Sequence, residues 1–311
     1  MKVSSPRSRV HTLGKDLRKN IGLYALILFP LIYLILFKYW PMYGVQIAFR
    51  DYSPVRSVLG SPWVGLKYVR KFLTNYQFKN IIRNTLTISL YSLATFPLPI
   101  VFALMLDYAR PPRFVRFVQM VSYAPHFIST VVMVGIILQF FDLNNGLFNA
   151  LIRAFGGTPV NFMGKPEYFY SIYIWTGVWQ TIGYSSIIYI SALSGVPMEL
   201  HEAAIVDGAN IPRRIWHIDL PCILPTVSIL LIMRCGSILN VDFEKVYLMQ
   251  NNLNRNVSEI ISTYVYKQGL TSSIPQYSYA AAIGLFTAII NVILLLIVNK
   301  ITGKLSGSSL W

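Results

Sequence analysis

Long apolar segments alternate with shorter polar segments along most of the 311-residue chain. About 20 consecutive apolar residues allow a helix to cross the hydrocarbon core of a bilayer, and six segments have roughly this length. Backbone groups in lipid are satisfied within a helix but not in an open strand. We therefore predict an all-α membrane protein with six transmembrane helices in one domain, residues 21–300. The apolar segments are 21–37, 85–106, 124–141, 171–193, 223–239 and 279–298.

The composition also favours a membrane protein. Hydrophobic residues make up 54% of the chain and charged residues 13%, whereas soluble domains carry about 25% charged residues. A soluble protein with a buried helical core is therefore a poor alternative. The net charge of +15 fits basic loops that face anionic lipid. No segment resembles a nucleic-acid-binding module, so we expect membrane lipid and no nucleic acid among the partners.

The two ends of the chain are predicted to be tails, residues 1–20 and 301–311. The first apolar segment ends in Phe37-Lys38-Tyr39-Trp40 rather than in a small-residue cleavage site, which indicates an uncleaved anchor. If the N-terminus lies in the cytoplasm, the inner and outer segments carry equal numbers of Lys and Arg. Because the outer segments are longer, basic residues are denser on the inner side, which favours a cytoplasmic N-terminus.

The sequence shows no means of catalysis. The nearest match to a phosphate-binding P-loop, at Gly164 and Lys165, has proline in place of the first Gly and of the final Ser or Thr. The histidines lack metal-ligand spacing, and Cys222 and Cys235 are too few for a disulfide framework or a metal site. We therefore predict no catalytic residue, no metal and no cofactor bound by this chain.

The most informative polar segment is residues 197–221, between the fourth and fifth apolar segments. Residues 197–208 contain good helix formers, acidic residues near the start and a final glycine. Pro212 suits the first turn of a second helix, where its missing amide does no harm. We predict two helices joined by a turn across the membrane surface, with Pro221 and Pro225 ending the second helix and bending the chain into the fifth membrane helix.

Small side chains in this segment would let another protein approach closely. They belong to Ala203, Ala204, Gly208 and Ala209. Glu202 and Asp207 offer charges for Arg or Lys on such a partner. An ordinary amphipathic connector is the alternative.

The segment resembles the signature loop of binding-protein-dependent ABC-transporter permeases. That loop reads Glu-Ala-Ala, three residues, Gly, nine residues, then Ile, any residue and Leu-Pro, and every position is met between Glu202 and Pro221. The fuller form of sugar importers adds Asp207, Ala209 and Pro225. Other segments, over almost the whole chain, resemble the maltose-permease-like branch that imports oligosaccharides or polysaccharides. They are 29–30, 39–43, 48–51, 84–86, 234–239, 276–280 and 310–311.

The resemblance implies a type I ABC importer permease fold in a bacterial cytoplasmic membrane. Two permease subunits, commonly different chains, form the pore, and each docks on an ATPase subunit that binds ATP and Mg²⁺. An external solute-binding protein delivers the saccharide. The signature loop, residues 197–221, fits a cleft on the ATPase, where Glu202 pairs with a basic residue, so it lies in the cytoplasm. The residues that the resemblance assigns to coupling are Glu202, Ala203, Ala204, Asp207, Gly208, Ala209 and Pro221.

Polar side chains inside the predicted fourth and fifth helices are candidates for the substrate pathway. A charge at bilayer depth costs roughly 2.5–3.5 kcal/mol on insertion scales, so Arg234 is expected to face the interior or a water-filled cavity. Ser237 and Asn240 follow it, and Gln180 and Tyr184 are one turn apart on the fourth helix. Such groups suit a saccharide, but they also suit hydrogen bonds between helices. A guanidinium would favour an acidic saccharide.

The sequence therefore predicts the permease subunit of an ATP-driven importer of oligosaccharide or polysaccharide fragments. The alternatives are an ABC permease for another solute, such as a glycerol phosphate or a modified sugar, and a membrane enzyme or channel that works alone.

Overall fold

A computed structural model describes residues 19–306 of the protein. Most of the predicted tail 1–20 and the last five residues of the predicted tail 301–311 lie outside this range. Within it the chain is helical and contains no β-strand, and Arg50 and Trp63 form an isolated antiparallel bridge. The prediction of an all-α fold is therefore confirmed.

In the described part of the chain, eight α-helices precede residue 155. They are α1 (Ile21–Leu34), α2 (Ser57–Gly60), α3 (Lys67–Leu73), α4 (Phe78–Ala94), α5 (Leu98–Tyr108), α6 (Pro112–Tyr123), α7 (Thr130–Phe140) and α8 (Leu147–Ala154). Helical turns of π and 3₁₀ type extend α1 to Phe49. Proline interrupts the step from α4 to α5, because Pro97 has no amide hydrogen to continue the helix.

Eight further helices follow in the described part of the chain. They are α9 (Pro166–Leu193), α10 (Met198–Val206), α11 (Ile211–Arg214), α12 (Leu220–Gly236), α13 (Phe243–Met249), α14 (Arg255–Ser258), α15 (Ile261–Tyr266) and α16 (Tyr277–Ser306). Helix α9 starts with proline in its first turn, where no amide is needed. Asp242 caps the start of α13: its Oδ1 accepts the amides of Glu244 at 3.1 Å and Lys245 at 3.3 Å.

Four helical segments of the described chain are long and apolar enough to cross a membrane. They are Ile21–Phe49, Phe78–Tyr108, Ile211–Gly236 and Tyr277–Lys304. A bent pair, Pro112–Phe127 with Thr130–Phe140, gives a fifth if counted as one span. Helix α9 has 28 residues but is not apolar enough to be counted among these spans. The count of six spans therefore stays a prediction.

The predicted third helix, 124–141, is not one straight helix. Ala124–Phe127 forms a 3₁₀ turn, and α7 starts only at Thr130, where the Ser129 hydroxyl accepts the Val132 amide at 3.4 Å. The chain bends by 102° at this break. The 11 residues of α7 extend about 16 Å, which is roughly half of a bilayer core.

The buried core has three parts that tie the helices together. One lies between α4, α7, α9 and α13, around Phe169 and Val246. Another joins α3, α4, α15 and α16 around Phe72 and Tyr279. The third joins α5, α9 and the start of α12, with Ile215 and Leu220 packed against it. This third cluster supports the signature loop from the membrane side.

Candidate functional site

The first half of the signature loop is α10, and Gly208 fixes its end. The φ angle of Gly208 is +76°. Its amide donates to the carbonyl of Ile205 at 3.0 Å, and the amide of Ala209 donates to the carbonyl of Ala204 at 2.8 Å. This is a Schellman motif, which satisfies the carbonyls at a helix end and favours glycine in the left-handed conformation. The end of the helix at Gly208, which the sequence predicts, is therefore explained by the left-handed backbone conformation of this glycine.

The second half of the loop begins with a cap at Asn210. Its Oδ1 accepts the amide of Arg213 at 3.1 Å, and Pro212 lies in the first turn of α11. The predicted position of Pro212 agrees with the structure.

The predicted end of this second helix at Pro221 and Pro225 is wrong. The helix continues from α11 through a π turn, Ile215–Asp219, into α12, so that Ile211–Gly236 is a single segment of 26 residues. In the π turn the amide of Leu220 donates to the carbonyl of Ile215. This wider turn changes the hydrogen-bond pattern just before Pro221, which has no amide to donate, and the proline is accommodated inside the helix.

The outer surface of the signature loop is exposed. No residue of α10 is buried, and Val206 is 87% exposed. A Cβ added at Gly208 would meet no atom within 4 Å, so the space beside this glycine is open to another molecule. The predicted coupling residues lie on this surface: Glu202, Ala203, Asp207, Gly208 and Pro221 are exposed, and Ala204 and Ala209 are partly exposed.

The inner side of the loop holds a buried carboxylate that the sequence reasoning missed. Asp219 is 1% exposed and lies in the π turn. Its Oδ2 accepts the Tyr108 hydroxyl at 2.7 Å, and its Oδ1 lies 3.2 Å from Nε2 of His201. The Arg214 guanidinium lies 5.3 Å from the centre of the Tyr108 ring. Asp219 stands at a variable position of the signature pattern, so the pattern did not mark it.

A cavity of about 720 Å³ lies between α4, α9, α12 and α13. It collects four of the five predicted pathway residues: Gln180, Tyr184, Arg234 and Ser237. Asn240 lines a smaller adjoining cavity of about 170 Å³, which also contains Arg234 and Ser237. Residues from the predicted fourth and fifth helices therefore meet around one space.

Most of the predicted pathway residues already have partners within the chain. Gln180 donates from Nε2 to the carbonyl of Ile128 at 3.1 Å. The ring of Tyr184 stacks on that of His126, with centroids 3.7 Å apart. Asn240, in the segment between α12 and α13, accepts from Nδ2 of Asn291 on α16 at 3.1 Å, which fits the alternative of a hydrogen bond that holds the bundle together.

The side chains of Ser237 and Arg234 differ in whether their hydrogen-bond partners lie on the same helix or on another. The Ser237 hydroxyl donates to the carbonyls of Met233 and Arg234, each at 3.2 Å, within its own helix. The Arg234 guanidinium donates from Nη2 to the Ser92 hydroxyl across to α4. Because a guanidinium has five N–H donors, Arg234 keeps donors for a ligand in the cavity.

Lys245 is a further cationic residue of the cavity that the sequence reasoning missed. Its ammonium donates to the backbone carbonyl of Tyr173 at 2.9 Å and lies 4.8 Å from the centre of the Tyr173 ring. A Cβ at Gly177 would lie 3.3 Å from Nζ, so the glycine leaves room for it. Residues 241–278 lie between the fifth and sixth predicted membrane helices, yet Lys245 is 5% exposed and its neighbour Val246 is in the core. The apolar faces of α13 explain the difference.

Acidic residues are scarce around these cations. Asp242 also lines the cavity, but one of its oxygens is occupied by the two amides at the start of α13. Two cationic groups therefore share the cavity with one carboxylate. No cluster of three or more His, Cys, Asp or Glu suited to a metal ion occurs between residues 19 and 306.

Residues 72–306 match the model of the family described as binding-protein-dependent transport system inner membrane component. The chain is 41% identical over 296 residues to protein LplB of Bacillus subtilis strain 168, covering 95% of this chain and 92% of that protein. It is 42% identical over 290 residues to the polygalacturonan/rhamnogalacturonan transport system permease protein YteP of the same organism, covering 93% and 90%.

Two solved structures resemble the chain over nearly its whole length, each with a TM-score of 0.87. One is a bacterial ABC transporter involved in the import of the acidic polysaccharide alginate, 35% identical, covering 94% of this chain and 99% of that chain. The other is a bacterial alginate ABC transporter in complex with an alginate pentasaccharide-bound periplasmic protein, 34% identical, covering 95% and 99%.

Proposed function

The chain belongs to the family of binding-protein-dependent transport system inner membrane components, and from this premise we propose that it conducts acidic oligosaccharides through its cavity. The resemblance to ABC-transporter permeases, which the signature loop indicated, and the predicted importer fold are both confirmed.

The protein is a multi-pass membrane permease subunit of an ABC sugar importer and not an enzyme. It works with a second permease, a separate ATPase and a substrate-binding protein. This excludes a channel or enzyme that acts alone.

The charge of the cavity carries the proposal of an acidic substrate. Arg234 has N–H donors that are not used by its bond to Ser92. Lys245 adds a second cation to the cavity, whose lining contains a single carboxylate, that of Asp242. A guanidinium binds a carboxylate through paired hydrogen bonds. The volume of about 720 Å³ lies within the usual range for ligand sites, roughly 300–1,000 Å³. The names of the similar proteins, which concern polygalacturonan and alginate, agree with this charge.

A matched pair of substrates tests this proposal. The complete complex, with its ATPase, second permease and binding protein, is placed in liposomes, and uptake of a labelled oligogalacturonide is compared with that of its methyl ester. The two have the same length and hydroxyl pattern, and they differ in charge. We expect faster uptake of the acid. Equal or faster uptake of the ester would refute the acidic substrate.

The exposed surface of the signature loop supports a role in coupling to the ATPase. The carboxylates of Glu202 and Asp207 make no hydrogen bond or ion pair in the described part of the chain, so both charges are available to a partner. The small side chains of Ala203, Ala204 and Ala209 allow a partner protein to approach the backbone of the loop closely. Pro221 joins the loop to α12, which carries Arg234. Movement of the ATPase subunits would therefore reach the cavity through a continuous helix. ATP and Mg²⁺ are bound by those subunits.

Substitution of Gly208 tests the coupling role. Gly208→Val adds bulk where the structure leaves space for the partner, and it places a β-branched residue at φ +76°. We expect uptake and substrate-stimulated ATP hydrolysis to be lost while the chain still inserts. The matched control is Gly135→Val, since a Cβ at Gly135 also meets nothing within 4 Å and its φ is ordinary. Unchanged uptake in Gly208→Val would refute the coupling role.

The coupling role also fixes the orientation that we propose, with the signature loop and the N-terminus in the cytoplasm. An Asp207→Cys variant tests it in a background without Cys222 and Cys235, the native cysteines. A membrane-impermeant maleimide should label inside-out vesicles and not intact cells. Labelling of intact cells would reverse the orientation.

A further inference from the structure

Three separate elements meet at Asp219. The carboxylate belongs to the π turn that leads into α12, Tyr108 ends α5, and His201 belongs to α10. The hydroxyl of Tyr108 donates at 2.7 Å and Nε2 of His201 lies at 3.2 Å, each on a different carboxylate oxygen. The carboxylate therefore connects α10 to both membrane helices at once.

Burial makes this connection costly to break. The side chain of Asp219 is 1% exposed and that of His201 is 14% exposed. A buried carboxylate that loses a donor keeps its desolvation cost without compensation. The three elements therefore favour moving together over separating at Asp219.

The residue next to His201 in α10 faces outward. His201 points inward to Asp219, whereas Glu202 is exposed on the surface that we assign to the ATPase. Adjacent residues of one short helix thus reach a partner protein and the buried carboxylate. Beyond Asp219, Arg234 lies 15 residues along the helix, a distance of about 22 Å.

We propose that Asp219 is a positioning residue that locks α10 to α5 and α12, so that displacement of α10 by the ATPase moves the helix that carries Arg234. This inference rests on the coupling role proposed above. His201 and Tyr108 are its two partners in the lock. The ATPase does not contact Asp219 in this scheme, because the carboxylate is buried inside the permease.

The test measures saccharide transported per ATP hydrolysed in liposomes that contain the complete complex. His201→Leu removes the donor from α10. We expect the transport ratio to fall about tenfold, the effect of losing one hydrogen bond to a charged group, while the ATPase still co-purifies and hydrolyses ATP. His201→Gln retains an N–H donor and should recover most of the ratio. Tyr108→Phe, which removes one hydroxyl, should lower the ratio as well.

The control is Glu167→Gln, an exposed carboxylate of α9 that lies outside the signature loop, which should leave the ratio unchanged. A purely structural role would lower the amount of complex and leave the ratio per complex as in the parent. An unchanged ratio in His201→Leu, or equal losses in His201→Leu and His201→Gln, would overturn the lock. If Gly208→Val also leaves uptake unchanged, the coupling role itself fails; if Gly208→Val abolishes uptake, only the role of Asp219 fails.

Discussion

The signature loop and the cavity differ in where their polar side chains find partners. On the outer surface of the loop, Glu202 and Asp207 are exposed and have no partner within the described chain. In the cavity, Gln180 and Asn240 are already hydrogen-bonded to other parts of the same chain. Exposed charge without an internal partner is suited to binding another protein, whereas a satisfied polar group in a helix bundle also serves to hold helices together.

This difference separates two kinds of functional residue. An exposed loop residue such as Glu202 can be substituted without a change in the fold, so its loss is expected to affect assembly or coupling alone. A cavity residue has both structural and substrate roles, and only a comparison of substrates separates them. Arg234 is the cavity residue that most resembles the loop residues, because its guanidinium has donors beyond its bond to Ser92.

Among side-chain truncations that compare the loop with the cavity, the largest effect is expected from Glu202→Ala. Uptake and substrate-stimulated ATP hydrolysis should fall at least about tenfold, because a hydrogen bond to a charged group contributes roughly 1.5–3 kcal/mol. The amount of inserted protein should not change, since Glu202 is exposed. Glu167→Ala, which removes an exposed carboxylate of α9 outside the signature loop, is the control. Normal uptake by the Glu202 variant would contradict the view that exposed loop charges bind the ATPase, whereas cavity residues also hold the fold together.

A smaller and selective effect is expected from Arg234→Gln. Uptake of an acidic oligosaccharide relative to its methyl ester should fall about tenfold, again because a charge-assisted hydrogen bond is lost. The same binding protein serves parent and variant, so its own selectivity cancels in this comparison. A ratio equal to that of the parent would show that Arg234 acts as a link to Ser92 and not as a substrate contact.

The smallest effect is expected from Asn240→Ala. The free energy of unfolding should fall by about 0.6 kcal/mol, the average for side-chain hydrogen bonds inside a membrane-helix bundle, and the ratio of acid to ester uptake should stay the same. Thermal unfolding in detergent measures the first quantity. Asn291→Ala should give a larger loss, because Asn291 donates to Asn240 and also accepts the amide of Leu239 at 3.2 Å. A change in substrate ratio would place Asn240 in the pathway.

The loop was easier to predict from sequence than the cavity. Residues 202–221 are contiguous, and glycine at the end of a helix has a local cause, the left-handed backbone at Gly208. The cavity combines residues as distant as Ser92 and Lys245, which only the packing of helices brings together. Polar spacing within α9 and α12 identified four of its members, but nothing in the spacing placed α13 in the core.

The errors have physical causes in particular residues. Pro221 suggests the end of a helix, yet the π turn before it allows the helix to continue. The segment 124–141 is apolar throughout, but Ser129 caps a new helix within it and the chain bends. Asp219 was missed because its importance comes from burial beside His201 and Tyr108, and burial depends on the fold.

The central claim is that the signature loop is the surface on which the ATPase docks. A photo-crosslinking amino acid at Val206, which is 87% exposed on α10, tests it directly in the assembled complex. A second at Leu26, 73% exposed on α1, is the control. We expect a covalent adduct with the ATPase subunit from position 206 and none from position 26. An assembled complex in which position 206 gives no ATPase adduct, or in which both positions give equal amounts, would contradict the claim.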